Sequence, residues 1–247
     1  MSVFFAPEHA HGYHAHAYDE QVALFRAVAA KQRRRKFFEG DTHPVEALDY
    51  GSGWQGVSRV ILEGVLSARE QLFLYDRFAA IKPSGTPNVH QATAKDIFSG
   101  KKQFSIISIS YVICCMAPQE ARTMLAELQE AQQSAQYVIV DYTLRDRTRE
   151  EVLALLTSNQ EMKWRRHMGE DAFAQTRMQH TPQSLVELVE SAGLRARNGK
   201  AAPMDPAGLR SAIVAEAQEN TPPCLIDMRE TIGRETRLSL SVGEAIM

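Results

Sequence analysis

Two carboxylates and a glycine turn are the residues most able to do chemistry here. Asp49-Tyr50-Gly51-Ser52-Gly53-Trp54-Gln55-Gly56 follows a short apolar run, and Asp76 lies 25 positions after Gly51. Glycines at a strand exit allow a tight turn and close approach of backbone to a ligand. A helix opening just after them presents free N–H groups that favour an anionic group. A carboxylate at Asp76, at the end of a second strand, can accept hydrogen bonds from both hydroxyls of a ribose. Together these residues imply a ligand that carries a nucleoside.

Gly51, Gly53 and Gly56 also match G-x-G-x-x-G, so a nicotinamide dinucleotide is a rival ligand. Asp49 argues against it. Two residues before the first glycine it can hold a cationic amino group, whereas a pyrophosphate gains nothing from its charge. None of the seven tyrosines has a lysine four positions later, so one common hydride-transfer pair is missing.

These residues need a parallel sheet to position them. Residues 45–50, 71–76, 88–91, 104–110 and 137–141 read as strands, and helices fall between them. The first of these helices carries Val57, Ile61 and Val65 at steps of four. Another opens at Pro118, with Ala121, Met124, Leu125 and Leu128 as its buried stripe. Apolar strands alternating with helices predict a doubly wound, mostly parallel α/β sheet of seven strands covered on both faces. In such sheets ligands bind at the carboxyl ends of the strands, where strand order reverses.

The flanks are less regular. Residues 18–38 form a helix with Val22, Phe25 and Ala29 on one side. Thr148-Arg149-Glu150-Glu151 fits a capping box for a helix reaching about Ser158. Thr181-Pro182 opens a helix with Leu185, Leu188 and Val189 inward, closed by Gly193. Residues 194–198 suit a sixth strand, Asp205-Pro206 the start of a further helix, and Thr236–Val242 a final edge strand. The expected organisation is an N-terminal lid and helix over 1–44, then one Rossmann-like domain over 45–247. An insertion at about 143–180 would cover the acceptor.

The run Leu48-Asp49-Tyr50-Gly51-Ser52-Gly53 resembles the glycine-rich motif of class I S-adenosylmethionine-dependent methyltransferases of the small-molecule type. The resemblance extends through Asp76, Phe104–Met116 and Tyr137–Asp141. His180-Thr181-Pro182-Gln183-Ser184-Leu185 and the residues to Leu194 look like the segment before strand six in that family. It covers roughly residues 18–200. The chain departs from it at Gln55, where many members have a third glycine, and at Ser105, where many have Asp.

The resemblance implies S-adenosyl-L-methionine as cofactor. Asp49, Gly51, Ser52 and Gly53 would hold its methionine end and Asp76 its ribose. Arg77 would lie beside the adenine, with Thr93 and Ala94 at its edge. Ser110 and Tyr111 would face the sulfonium and the acceptor. Tyr13 and Tyr18 would be lid contacts, Tyr18 having first-helix packing as its bland alternative. Tyr111 and His167 are the candidate catalytic residues; His167 and Trp164 fall in the covering insertion, where surface or packing roles compete. Asp141 either caps the adjacent loop or acts near the substrate. The acceptor itself is not written in the sequence.

Composition sets the outer bounds. The chain has 247 residues, 44% hydrophobic and 23% charged, with a formal net charge of −2. This suits one large α/β domain with a full core. No global basic field draws nucleic acid. Arg33-Arg34-Arg35-Lys36 reads as a solvated helix end, with a phosphate patch as its rival. His9, His11, His14 and His16 invite a metal, but their spacing is irregular and nothing nearby completes a shell, so no metal is expected. Cys114, Cys115 and Cys224 make no disulfide framework. The first residues lack a signal-peptide pattern and no run is long enough for a membrane span, so a cytoplasmic location is expected. The rival functions are methylation of RNA or protein, a nonenzymatic methyltransferase-like binding subunit, and a nicotinamide oxidoreductase.

Overall fold

A computed structural model describes residues 19–52, 57–77, 81, 85–143, 180–204 and 210–218. All the strands and helices given below lie in one compact unit, Met1–Ala217.

Five parallel strands form the heart of the sheet: β1 (Glu46–Tyr50), β2 (Gln71–Tyr75), β3 (Val89–Gln91), β4 (Ile106–Ser110) and β5 (Gln136–Tyr142). β6 (Leu194–Ala196) and β8 (Arg210–Ala217) complete the order β3-β2-β1-β4-β5-β8-β6, and the two-residue β7 (Ala202–Pro203) pairs with β8. β8 runs antiparallel to β5 and β6. The order reverses between β1 and β4, and in sheets of this kind ligands bind beyond the carboxyl ends of the strands at that point. The mostly parallel, doubly wound sheet expected from the sequence is present, and it includes two strands, β7 and β8, that the sequence did not announce.

Strand alternation sends neighbouring residues to opposite faces. Leu48, Ile107, Ile109, Tyr137 and Ile139 pack under α3 (Ala94–Phe98), α4 (Pro118–Ala131) and α5 (Pro182–Ser191). Ala47, Ile106, Val138 and Val140 pack under α1 (Asp19–Glu39) and α2 (Val57–Val65). The buried stripe of α4 is the expected one. Thr181 caps α5 through a reciprocal bond with Ser184, and Gly193 beyond its end takes a positive φ of 86°.

α1 buries Gln21, Phe25, Val28, Ala29 and Gln32, spaced as one helical face. Its first turn meets the carboxyl end of β4, where Gln21 reaches Ser110 and Tyr111. Its later turns are anchored at the opposite edge. Gln32 Nε2 donates to Gln136 Oε1 at 3.2 Å, and Arg33 grips Glu70 with two hydrogen bonds. The helix therefore runs back along the sheet, antiparallel to the strands.

One expected element is different. A helix starting at Asp205-Pro206 does not continue into 210–217; Arg210–Ala217 is the eight-residue strand β8. Its alanines and glutamate have modest strand preference alone, and pairing with β5 over seven residues decides the matter. The expected capping box at 148–151 and edge strand at 236–242 lie outside the described residues.

Candidate functional site

Asp49 is the fourth residue of β1 and fully buried. Its strand neighbours are Leu74 on β2 and Ser108 on β4. Ser58, in the first turn of α2, donates its hydroxyl to Asp49 Oδ1 at 2.6 Å. Oδ2 has no hydrogen-bond partner among the described residues. Burial pushes the Asp49 carboxyl up to about 6; the Ser58 and Ser108 hydroxyls and the Arg59 guanidinium pull it down, and Asp76 pushes it further up. An orphaned carboxylate oxygen in the interior costs free energy unless something fills the vacancy in its bonding. A ligand ammonium would do so.

β1 turns sharply after Tyr50. Gly51 has φ +78°, and both Gly51 N–H and Ser52 N–H donate to Tyr75 O, at 2.7 and 3.1 Å. A Cβ on Gly51 would collide with the Val112 side chain, so the turn closes directly on the exit of β4. Ser52 Oγ is buried and, like Asp49 Oδ2, unpartnered among the described residues. Asp76 and Arg77 follow Tyr75 at the end of β2, Asp76 half-buried and Arg77 exposed. β1 and β2 thus bring Asp49, Ser52 and Asp76 to one edge.

Ser110 closes β4, buried at the same edge, with its Oγ 3.3 Å from Ser108 Oγ. Tyr111 then takes φ +60°. A bulky residue in the left-handed region costs about 1–3 kcal/mol and marks a constrained position. The constraint is visible. Tyr111 N–H donates to Val140 O at 2.8 Å, its hydroxyl donates to Gln21 Oε1 at 3.1 Å, and its ring sits 5.1 Å from that of Tyr142.

Thr93 and Ala94 are at the start of α3, after β3, and exposed. The Thr93 hydroxyl is engaged in a capping box with Asp96. Asp141 turns out to serve the adjacent backbone: its carboxylate accepts from Cys114 N–H at 2.9 Å and Tyr142 N–H at 2.7 Å. Tyr13, Tyr18, Gly53 and His167 lie outside the described residues.

Gln21, Ser58, Ser108 and Tyr142 escaped the sequence reading. Only Ser108 left a signal there, as the first of two serines alternating with isoleucines in β4. His180 also gained no role from sequence. It is buried before the Thr181 cap, its Nε2 has no partner among the described residues, and burial holds its pKa below the ordinary value.

Strand order and register make this a Rossmann-like α/β fold with its switch point between β1 and β4. No protein-family model and no curated protein matches the chain. Several solved structures are similar to it. Human N-acetylserotonin methyltransferase in complex with S-adenosylmethionine is 12% identical, over 70% of this chain and 47% of its own, with a TM-score of 0.47. CalO1, a methyltransferase of calicheamicin biosynthesis in its S-adenosylhomocysteine-bound form, is 14% identical over 71% of this chain and 49% of its own, TM-score 0.47. PigF with S-adenosylhomocysteine is 16% identical over 81% and 64%, TM-score 0.49. The chain spans about half the length of the first of these neighbours. Such distant likeness is one of fold.

Proposed function

We propose that the chain transfers a methyl group from S-adenosylmethionine to a small-molecule acceptor. The observation that carries this reading is the buried, half-partnered carboxylate of Asp49 beside the Gly51 turn. The donor set fits the cofactor. Asp49 Oδ2 would take its ammonium group, Gly51 and Ser52 would bear on its methionine end together with Gly53, and Asp76 would take the ribose hydroxyls. Arg77 would flank the adenine, with Thr93 and Ala94 supplying only surface at its edge because the Thr93 hydroxyl is committed to Asp96.

S-adenosylmethionine, when bound, supplies a methyl group already activated on a sulfonium. The chain would orient the acceptor in line and exclude water. Alignment of that kind supplies up to about 7–11 kcal/mol of a barrier. Ser110 and Tyr111 would bear on the acceptor, and the paired rings of Tyr111 and Tyr142 offer faces that favour a cation. The N-terminal segment with Tyr13 and Tyr18, and the 143–180 insertion with Trp164 and His167, would cover the pocket. A general base is required only for an acceptor that must lose a proton, and His167 or an N-terminal histidine would fill that role.

Two features weigh against the rivals. A dinucleotide pyrophosphate would face the Asp49 carboxylate at close range. The basic run offers little free charge to RNA, because Arg33 pairs with Glu70, Arg35 with Glu39 and Lys36 with Asp41. Calorimetry with S-adenosylhomocysteine, followed by a methyl-release assay across a panel of phenols, amines and thiols, tests the reading. A nonenzymatic subunit would bind neither cofactor nor acceptor.

A further inference from the structure

Phe37 and Phe38 stand in water at the end of α1, 78% and 82% exposed. Among the described residues Val60 is the one other large apolar side chain so placed. A single exposed apolar residue is ordinary, whereas two adjoining rings form a patch. These rings meet edge to face with centroids 5.7 Å apart. The backbone beneath them is fixed. Gly40 N–H donates to Phe37 O at 3.2 Å, and Asp41 N–H to Lys36 O at 2.9 Å. Lys36 Nζ also holds Asp41 Oδ2 at 2.6 Å. A patch held this way loses little freedom when it is covered.

It lies at the edge of the sheet away from Asp49. Arg35 Nη1 donates to Ser134 O just ahead of β5, and Gln32 Nε2 to Gln136 at the start of that strand. The methyl-transfer reading gives these two rings no part.

The rim indicates what covers them. Arg33 pairs with Glu70, Arg35 with Glu39 and Lys36 with Asp41. Cations and acids here nearly cancel, so an anionic lipid surface meets little field. Among the described residues Arg34 is the one member of the run with no ion pair. The charges are also ordered along the chain. Arg33–Lys36 come before the rings, and Glu39 and Asp41 come after them. Such a surface complements its own copy turned end for end about a twofold axis through the rings. Arg34 of each copy then meets the half-exposed Glu39 of the other.

We infer that Phe37 and Phe38 form the centre of an isologous contact with a second copy of this chain, with Arg34 and Glu39 pairing across it. A covered aromatic side chain buries about 150–250 Å². The four rings together give about 600–1,000 Å². The stems of Arg34 and Glu39 bring the contact to the low end of specific interfaces, about 1,200 Å². The dimer is therefore weak, with a dissociation constant on the order of tens of micromolar.

Sedimentation velocity of the full chain tests this across about 5–300 μM, where mass action carries a dimer of that strength from mostly monomer to mostly dimer. Wild type should make that transition. The double variant Phe37→Ser/Phe38→Ser, altered only at exposed positions, should associate about tenfold more weakly or not at all. Arg34→Glu alone and Glu39→Arg alone should each weaken association. An equimolar mixture of those two variants should restore it, because both cross-contacts in the mixed dimer join opposite charges. A wild type that stays monomeric throughout would overturn the proposal. So would an unchanged dimer in the double variant, or a mixture no tighter than its components. A monomeric wild type that co-sediments with phosphatidylserine vesicles would give the rings to a membrane and overturn it as well. None of these outcomes depends on whether S-adenosylhomocysteine binds.

Discussion

Ser58 and Asp49 form a 2.6 Å hydrogen bond that satisfies one oxygen of a fully buried carboxylate and leaves the other without a partner. The pair joins α2 to β1 at the carboxyl edge of the sheet. It is the geometry from which the pH behaviour of the site follows.

In the folded chain the Asp49 carboxyl titrates at about 6, raised from 3.8, chiefly by burial. The fold thus prefers the neutral acid. Its contribution to stability is fully present below 3.8 and is lost as pH rises through about 6. A cationic ligand binds the carboxylate instead, so cofactor affinity should climb from pH 5 and level off above about 6. Binding at pH 5 should release a proton, read by calorimetry in buffers of different ionisation enthalpy. An affinity that is flat across this range would detach Asp49 from the ligand.

Asp76 stands half-buried at the end of β2, outside the packed core. Asp76→Ala should leave thermal stability nearly unchanged and weaken S-adenosylhomocysteine binding. A charge-assisted hydrogen bond is worth about 1.5–3 kcal/mol, or roughly ten- to a hundredfold in affinity. The dissociation constant of the folded variant checks this; an unaltered value would remove Asp76 from the site.

Gly51 combines a positive φ with contact against Val112. Gly51→Ala should destabilise the fold by about 1–2 kcal/mol from the left-handed backbone alone, with about 1–3 kcal/mol more from overpacking. Adding Val112→Ala should recover the packing share and leave the backbone share. Thermal unfolding of the single and double variants separates the two. Wild-type stability in Gly51→Ala would mean that the turn is not held as described.

Much of this architecture was legible in the sequence because local signals and tertiary packing agree. Pro118 with its four-residue stripe, Thr181-Pro182 with Gly193, and the Asp49–Gly51 strand exit each carry their own boundary chemistry. β8 was not legible, since Arg210–Ala217 becomes a strand only by pairing with β5. The site divides in the same way. Asp49, Gly51, Ser52, Asp76, Ser110 and Tyr111 come to strand ends by the periodicity of the sheet. Gln21 precedes Ser110 by 89 residues and meets it only because α1 lies back across β4. No spacing rule reaches that far. Asp141 shows where sequence leaves a choice open: a carboxylate at a strand end suits loop capping and substrate contact alike, and here its oxygens hold the backbone N–H groups of Cys114 and Tyr142.

The most direct measurement is equilibrium binding of S-adenosylhomocysteine and of NAD(H) to the purified chain at pH 7.5, on wild type and Asp49→Asn. The account predicts saturable binding of S-adenosylhomocysteine, its loss or marked weakening in Asp49→Asn, and no response to NAD(H). Binding of NAD(H) with none of S-adenosylhomocysteine, or S-adenosylhomocysteine binding indifferent to Asp49→Asn, would contradict it.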